Sequence, residues 1–138
     1  MMTLILAAAR ALANALKASG APLNAAKMGL YTTNVNFTND ATVAGLVEAT
    51  FPGYARSGTI TWLDAQTKPD YSVELIGDVK TFTATGMVTG TQTVYGFFYV
   101  DGSGNLLAGD RLANPYTFVD SPDTLTLVPV WQQGVDVI

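Results

Sequence analysis

Asp101, Ser103 and Asn105 stand at the spacing of the first three ligands of a calcium loop, D-x-S-x-N. Where that loop needs Gly at its sixth position and a bidentate Glu at its twelfth, this chain has Leu106 and Leu112. The segment therefore reads as a polar hairpin turn, built from residues that tolerate positive φ. Asp64 with Asp70, and Asp120 with Asp123, are the carboxylate pairs that glycoside hydrolysis could use. All four fall in expected turns, where Asp hydrogen-bonds the backbone. Gly86 to Gly90, GMVTG, lacks the Lys and the Ser or Thr of a phosphate-binding loop. Arg111 could pair with Asp110 or with another carboxylate across a sheet, as a structural ion pair.

The chain has no His and no Cys. That removes the commonest general base, the thiolate nucleophile, disulfides and the usual ligands of zinc. The residue chemistry points away from an enzyme and implies no metal and no cofactor. What remains is aromatic: Tyr31, Phe37, Tyr54, Trp62, Tyr71, Tyr95, Phe97, Phe98, Tyr99 and Trp131. Most recur at strand periodicity, which suits a core. Trp62, Trp131 and Tyr54 are the rings to watch for an exposed platform that could stack on sugars.

Composition constrains the partners. Of 138 residues only 13% are charged, against the roughly 25% usual for soluble domains. A surface with so little charge suggests that part of it is covered by another subunit. Residues 1–30 carry Arg10, Lys17 and Lys27 and no acid, so the remainder holds four basic and all eleven acidic residues. An acidic body repels phosphate, so no nucleic acid is expected as a partner.

The elements that must hold these residues are mainly strands. Thr3 to Ser19 is expected to form one amphipathic helix, with Thr3 as N-cap and Gly20-Ala21-Pro22 as the stop. Ile5, Ala8, Ala9, Leu12, Ala15 and Leu16 share its apolar face, and Arg10, Asn14 and Lys17 the other. The apolar run is too short, and interrupted by Arg10, to span ~30 Å of hydrocarbon, and no basic region precedes it as in a signal peptide, so no membrane partner is expected. Two placements stay open: the helix packs on its own sheet, or it packs on another subunit. In the second case Ile5, Leu12, Leu16, Arg10 and Lys17 are the candidate interface.

Strands are expected at Lys27–Thr33, Tyr54–Leu63, Tyr71–Ile76, Val79–Thr85, Tyr116–Val119 and Thr124–Trp131, with a short helix or helical turn at Val43–Thr50 for which Thr42 is the candidate cap. The centre is a hairpin, Thr91–Ala113. Its long strand alternates Tyr95, Phe97 and Tyr99 with Val94, Gly96, Phe98 and Val100, as a strand covered on both faces would. Pro129 marks an edge or a bulge in the last strand. Strands of this length with turns every 8–12 residues predict an antiparallel, jelly-roll-like β-sandwich. It occupies residues 27–138, with residues 1–26 as N-terminal helix and connector.

Leu30–Phe37 (LYTTNVNF), Val47–Trp62 (VEATFPGYAR…ITW), Val94–Leu112 (VYGFFYVDGSGNLLAGDRL) and the later DTLTLVP follow one another in an order that resembles a group of small proteins encoded among the structural genes of tailed bacteriophages. Gly109-Asp110 stands where that pattern has Ala-Glu, and Leu112 where it has Phe. The resemblance covers about residues 30–130 and carries no catalytic motif. It implies a virion protein assembled in the host cytoplasm: a capsid decoration or cement protein whose partners are the major capsid protein and copies of itself, with a trimer at a symmetry axis as one arrangement. A tail-associated or receptor-facing carbohydrate-binding module is the alternative.

Overall fold

The computed structural model describes residues 6–68 and 72–133. The chain is mainly β, and its described residues form one α-helix and three antiparallel sheets in a sandwich-like arrangement. Helix α1 spans Leu6–Leu16. The expected cap Thr3 and interface residue Ile5 lie outside the described residues. The helix ends short of Ser19 because its last turn tightens: Lys17 N–H reaches Asn14 O and Ala18 N–H reaches Ala15 O, both at 3.3 Å. Gly20 then takes a left-handed φ of 82° and Pro22 opens a 3-10 turn, Pro22–Ala25.

Eight strands follow. They are β1 (Lys27–Tyr31), β2 (Gln66–Thr67), β3 (Val73–Ile76), β4 (Lys80–Thr83), β5 (Gln92–Val100), β6 (Leu106–Phe118), β7 (Thr124–Leu127) and β8 (Val130–Gln133). They pair as β1-β5-β6, β2-β3-β8 and β4-β7. The pairs β3–β8 and β4–β7 are two halves of one bent ribbon. Ile76 faces Val130 and Lys80 faces Leu127, so the first strand has one residue more across the bend. Gly77 N–H to Pro129 O, 2.8 Å, carries the pairing through it. Pro129, buried at the bend, has no N–H to give a ladder, and it divides the single expected last strand into β7 and β8.

The main core lies between the layers and takes Met28, Leu30, Val73, Leu75, Phe82, Val94, Tyr99 and Phe118 from the strands. A second cluster of Tyr31, Leu46, Phe98 and Val100 fills the outer face of β1-β5-β6, under the loop that carries Phe37 and Val43. Strand β5 is thus covered on both faces, as its sequence indicates. One detail differs. A register shift between Val94 and Gly96 turns Val94 inward with Phe97 and Tyr99, and Tyr95 outward with Phe98.

Other expectations are corrected. Val43–Thr50 is a 3-10 turn, Ala44–Leu46, that stops at Val47, a β-branched residue at φ 39°. Thr42 Oγ1 accepts from Gly45 N–H at 3.2 Å, so the expected cap is in place. Tyr54–Leu63 forms no regular strand, because its N–H groups serve separate partners: Tyr54 to Phe51 O, Ser57 to Met28 O and Ile60 to Ala26 O. Ile60 and Trp62 are both buried nonetheless. Tyr116–Phe118 of the expected strand belongs to β6, which continues past Pro115 by bulging, and Val119 lies just beyond its end: Val94 faces Tyr116 while Gly96 faces Arg111. No helix among the described residues is long and apolar enough to cross a membrane.

Candidate functional site

Apart from Asp64, which pairs with Lys17, the described polar residues singled out by spacing serve the backbone. Asp101 Oδ1 accepts from Ser103 and Asn105 N–H, both at 2.9 Å, and Oδ2 from Asn105 Nδ2 at 3.1 Å. The Asn105 and Ser103 bonds hold this carboxyl below the usual range. The D-x-S-x-N segment is a self-satisfied turn. Asp123 accepts from Val119 N–H at 2.7 Å and Asp120 N–H at 3.1 Å, closing the turn before β7. Asp70 lies outside the described residues. In GMVTG, Val88 is buried and its N–H binds Val119 O at 2.9 Å, so this turn packs inward. Among the described residues no group of three or more Asp or Glu side chains could share a metal ion.

Helix α1 lies on β2 and β3 of its own chain. Ala9 and Ala13 are fully buried and Leu16 packs beside them, whereas Leu12 is 52% exposed and Ala15 faces out. The seam is rotated from the expected one because Asn14, on the polar face by pattern, accepts Ala65 N–H at 2.8 Å. Lys17 binds Asp64 at 2.6 Å, an exposed pair of little energetic weight. Of the candidate interface residues, Leu16 and Lys17 face the chain's own body, and Arg10 and Leu12 face outward. Among the described residues Arg111 has no carboxylate partner of the expected kind. Its Nη2 donates to Asn34 Oδ1 at 2.8 Å and its guanidinium lies 5.8 Å from the Tyr95 ring centre, tying the 32–42 loop to the sheet.

Glu48, Tyr54 and Arg56 form a coupled polar cluster. Arg56 donates to both Glu48 oxygens at 2.9 Å, Tyr54 OH donates to Oε1 at 2.7 Å, and Leu30 N–H donates to Tyr54 OH at 3.1 Å. Burial raises the Glu48 carboxyl, but the Arg56 and Tyr54 hydrogen bonds outweigh it and hold the group low. Burial pushes the Tyr54 hydroxyl well up, so it stays a neutral donor. The cluster fastens residues 47–56 to the free edge of β1 and is structural. Glu48→Gln should cost about 1–2 kcal/mol at pH 7. Because the folded-state pKa is depressed, this contribution is present above the unfolded value of about 4.3 and is lost as pH falls through the folded one. Urea midpoints of the two proteins should therefore converge in acid. A gap that stays constant down to pH 2–3 would refute the ion-pair role.

Of the three rings expected on a platform, one is inside and two are partly buried. Trp62 is 7% exposed, with Nε1 donating to Leu23 O at 3.0 Å. Tyr54 is packed between Phe51 and Phe82. Trp131, partly exposed, lines a surface cleft. This cleft, about 420 Å³, opens where the edge strands of two sheets run past each other. Ala108–Asp110 of β6 line one side and Val130–Gln132 of β8 the other, with Phe97 and Tyr99 between them. Tyr99 OH donates to Val130 O at 3.2 Å and accepts Val130 N–H at 3.0 Å, stapling β5 to β8. Burial, with the Asp110 charge adding to it and the Val130 bond opposing, pushes this hydroxyl up to about 12. Sequence reasoning identified Trp131 but not Phe97, Asp110 or Gln132 as its neighbours, since they lie on strands far apart in the chain.

No protein-family model, curated protein or solved structure matches this chain. The functional reading rests on its residues and their geometry.

Proposed function

We propose that this protein is a bacteriophage virion component, a capsid decoration or cement protein that binds the head shell and stabilises it. The observation that carries the reading is where the phage-like motifs fall. Glu48 and Tyr54 belong to the clamp on β1, Gly96 makes room for Tyr31, Arg111 docks the 32–42 loop, and Asp123 closes the turn before β7. These motif residues each hold part of a scaffold, which is what a structural subunit requires. The surface supports it further: Leu12, Val47, Leu63, Val79, Met87, Val119 and Val128 are each at least half exposed on a chain with 13% charged residues. Binding to other subunits would cover part of that area.

The test is direct. The purified chain should run as an oligomer in solution by light scattering and should co-sediment with phage heads that lack it, raising their resistance to heat. A monomer that leaves heads unbound would overturn the proposal.

A further inference from the structure

We infer that the cleft between β6 and β8 is a binding site for a neutral sugar ring, with Trp131 as its stacking surface. This goes beyond the capsid role and does not depend on it. The volume is at the lower end of the range for small-molecule sites, enough for one or two pyranose rings. A pyranose has an apolar C–H face and a rim of hydroxyls. The cleft offers the matching chemistry: partly exposed Trp131 and Phe97 rings for the face, and the Asp110 carboxylate and the Gln132 amide for the rim. Tyr99 holds the two sides at a set separation through its paired bonds to Val130.

Other occupants fit less well. Among the described residues Asp110 is the only charged one of the lining, so an anion, including an acidic sugar or a phosphate, meets repulsion without compensation. Arg111, next to Asp110 in the chain, is committed to Asn34 and Tyr95. An added β-strand is opposed by the edge itself. Strand β6 is bulged where Tyr99 faces Ala108 and Val100 faces Leu106, bulged again before Pro115, and its Arg111 N–H is taken by Asp110 Oδ1 at 2.7 Å. These are the devices by which sheets block edge-to-edge pairing.

The experiment uses the full chain, an array of neutral and sialylated oligosaccharides, and fluorescence titration with the neutral disaccharides that score. The chain has two Trp residues, and Trp62 is buried, so a sugar-dependent emission change should come from Trp131. At least one neutral sugar should bind saturably. Its sialylated counterpart should bind at least about tenfold more weakly. Trp131→Phe should abolish the emission change. Gln132→Ala, at an exposed rim position, should weaken binding about tenfold by array and calorimetry while leaving the melting temperature and head binding unchanged. No binding to any neutral sugar up to about 50 mM, preference for the sialylated form, or affinity unaffected by Gln132→Ala and Trp131→Phe would each overturn the inference. Failure of the unmodified chain to bind heads would count against the capsid role and leave the sugar site standing.

Discussion

Gly29→Ala should destabilise the fold by about 3 kcal/mol and lower the melting temperature by about 10 °C. Gly29 sits in β1 opposite Phe98 of β5, and the Phe98 ring lies across the Gly29 backbone. A Cβ at 29 would fall against three atoms of that ring, Cζ, Cε1 and Cε2. The ring cannot retreat, because it is fully buried in the outer cluster with Tyr31, Leu46 and Val100. The cost is therefore overpacking and not lost backbone freedom. It follows that shrinking the ring should relieve it. Phe98→Leu alone removes packing and should destabilise, yet combined with Gly29→Ala it should cost at least about 1 kcal/mol less than the sum of the two. Chemical denaturation of the four proteins gives that coupling directly. Additive effects, or a Gly29→Ala protein as stable as the parent, would refute the interlock. Gly96 repeats the arrangement against Tyr31, and Gly109 against Phe37. At 109 the chain departs from the Ala of the phage-like pattern, and the Phe37 ring occupies the space that a methyl group would need.

The second large effect belongs to Trp62. Trp62→Ala should cost about 3–5 kcal/mol. The ring fills the main core, meets Tyr99 edge-on at 6.0 Å, and donates Nε1–H to Leu23 O in the connector after α1. It thereby joins the N-terminal segment to the sandwich. Trp62→Phe keeps most of the apolar volume and removes the donor. Leu23 O still accepts Ala26 N–H at 3.2 Å, so the carbonyl is not abandoned and the loss should be near 1 kcal/mol. The two variants should differ in pattern as well as in size. Hydrogen exchange in α1 and Pro22–Ala25 should accelerate selectively in Trp62→Phe, whereas Trp62→Ala should accelerate it throughout. Uniform, small effects from both substitutions would show that the connector is held by something else.

Both effects were only half visible beforehand. The aromatic strand at Thr91–Val100, the turn at Asp101–Asn105, the buried alternation of Val73 and Leu75, and the inward Phe82 and Ala84 all follow from residue type and period, because a strand's side chains alternate without reference to anything distant. The helix was legible from its alanines and leucines for the same reason. Its docking face was not, since Asn14 looks polar until Ala65 N–H is placed beside it.

What the sequence by itself determined is the class: a mainly β chain with an N-terminal helix, a doubly covered central strand, and turns whose carboxylates serve the backbone. Local propensity and periodicity suffice for these. The tertiary structure alone decided which strands meet. It exchanged the faces of Val94 and Tyr95 through a bulge, broke the last strand at Pro129, put Trp62 inside and left Trp131 beside a cleft. It also brought Phe97, Asp110 and Gln132 together from three strands. The physical reason is one of range. Alternation is set by neighbours along the chain, whereas a bulge, a close-packed glycine or a cleft is set by the shape of a partner dozens of residues away.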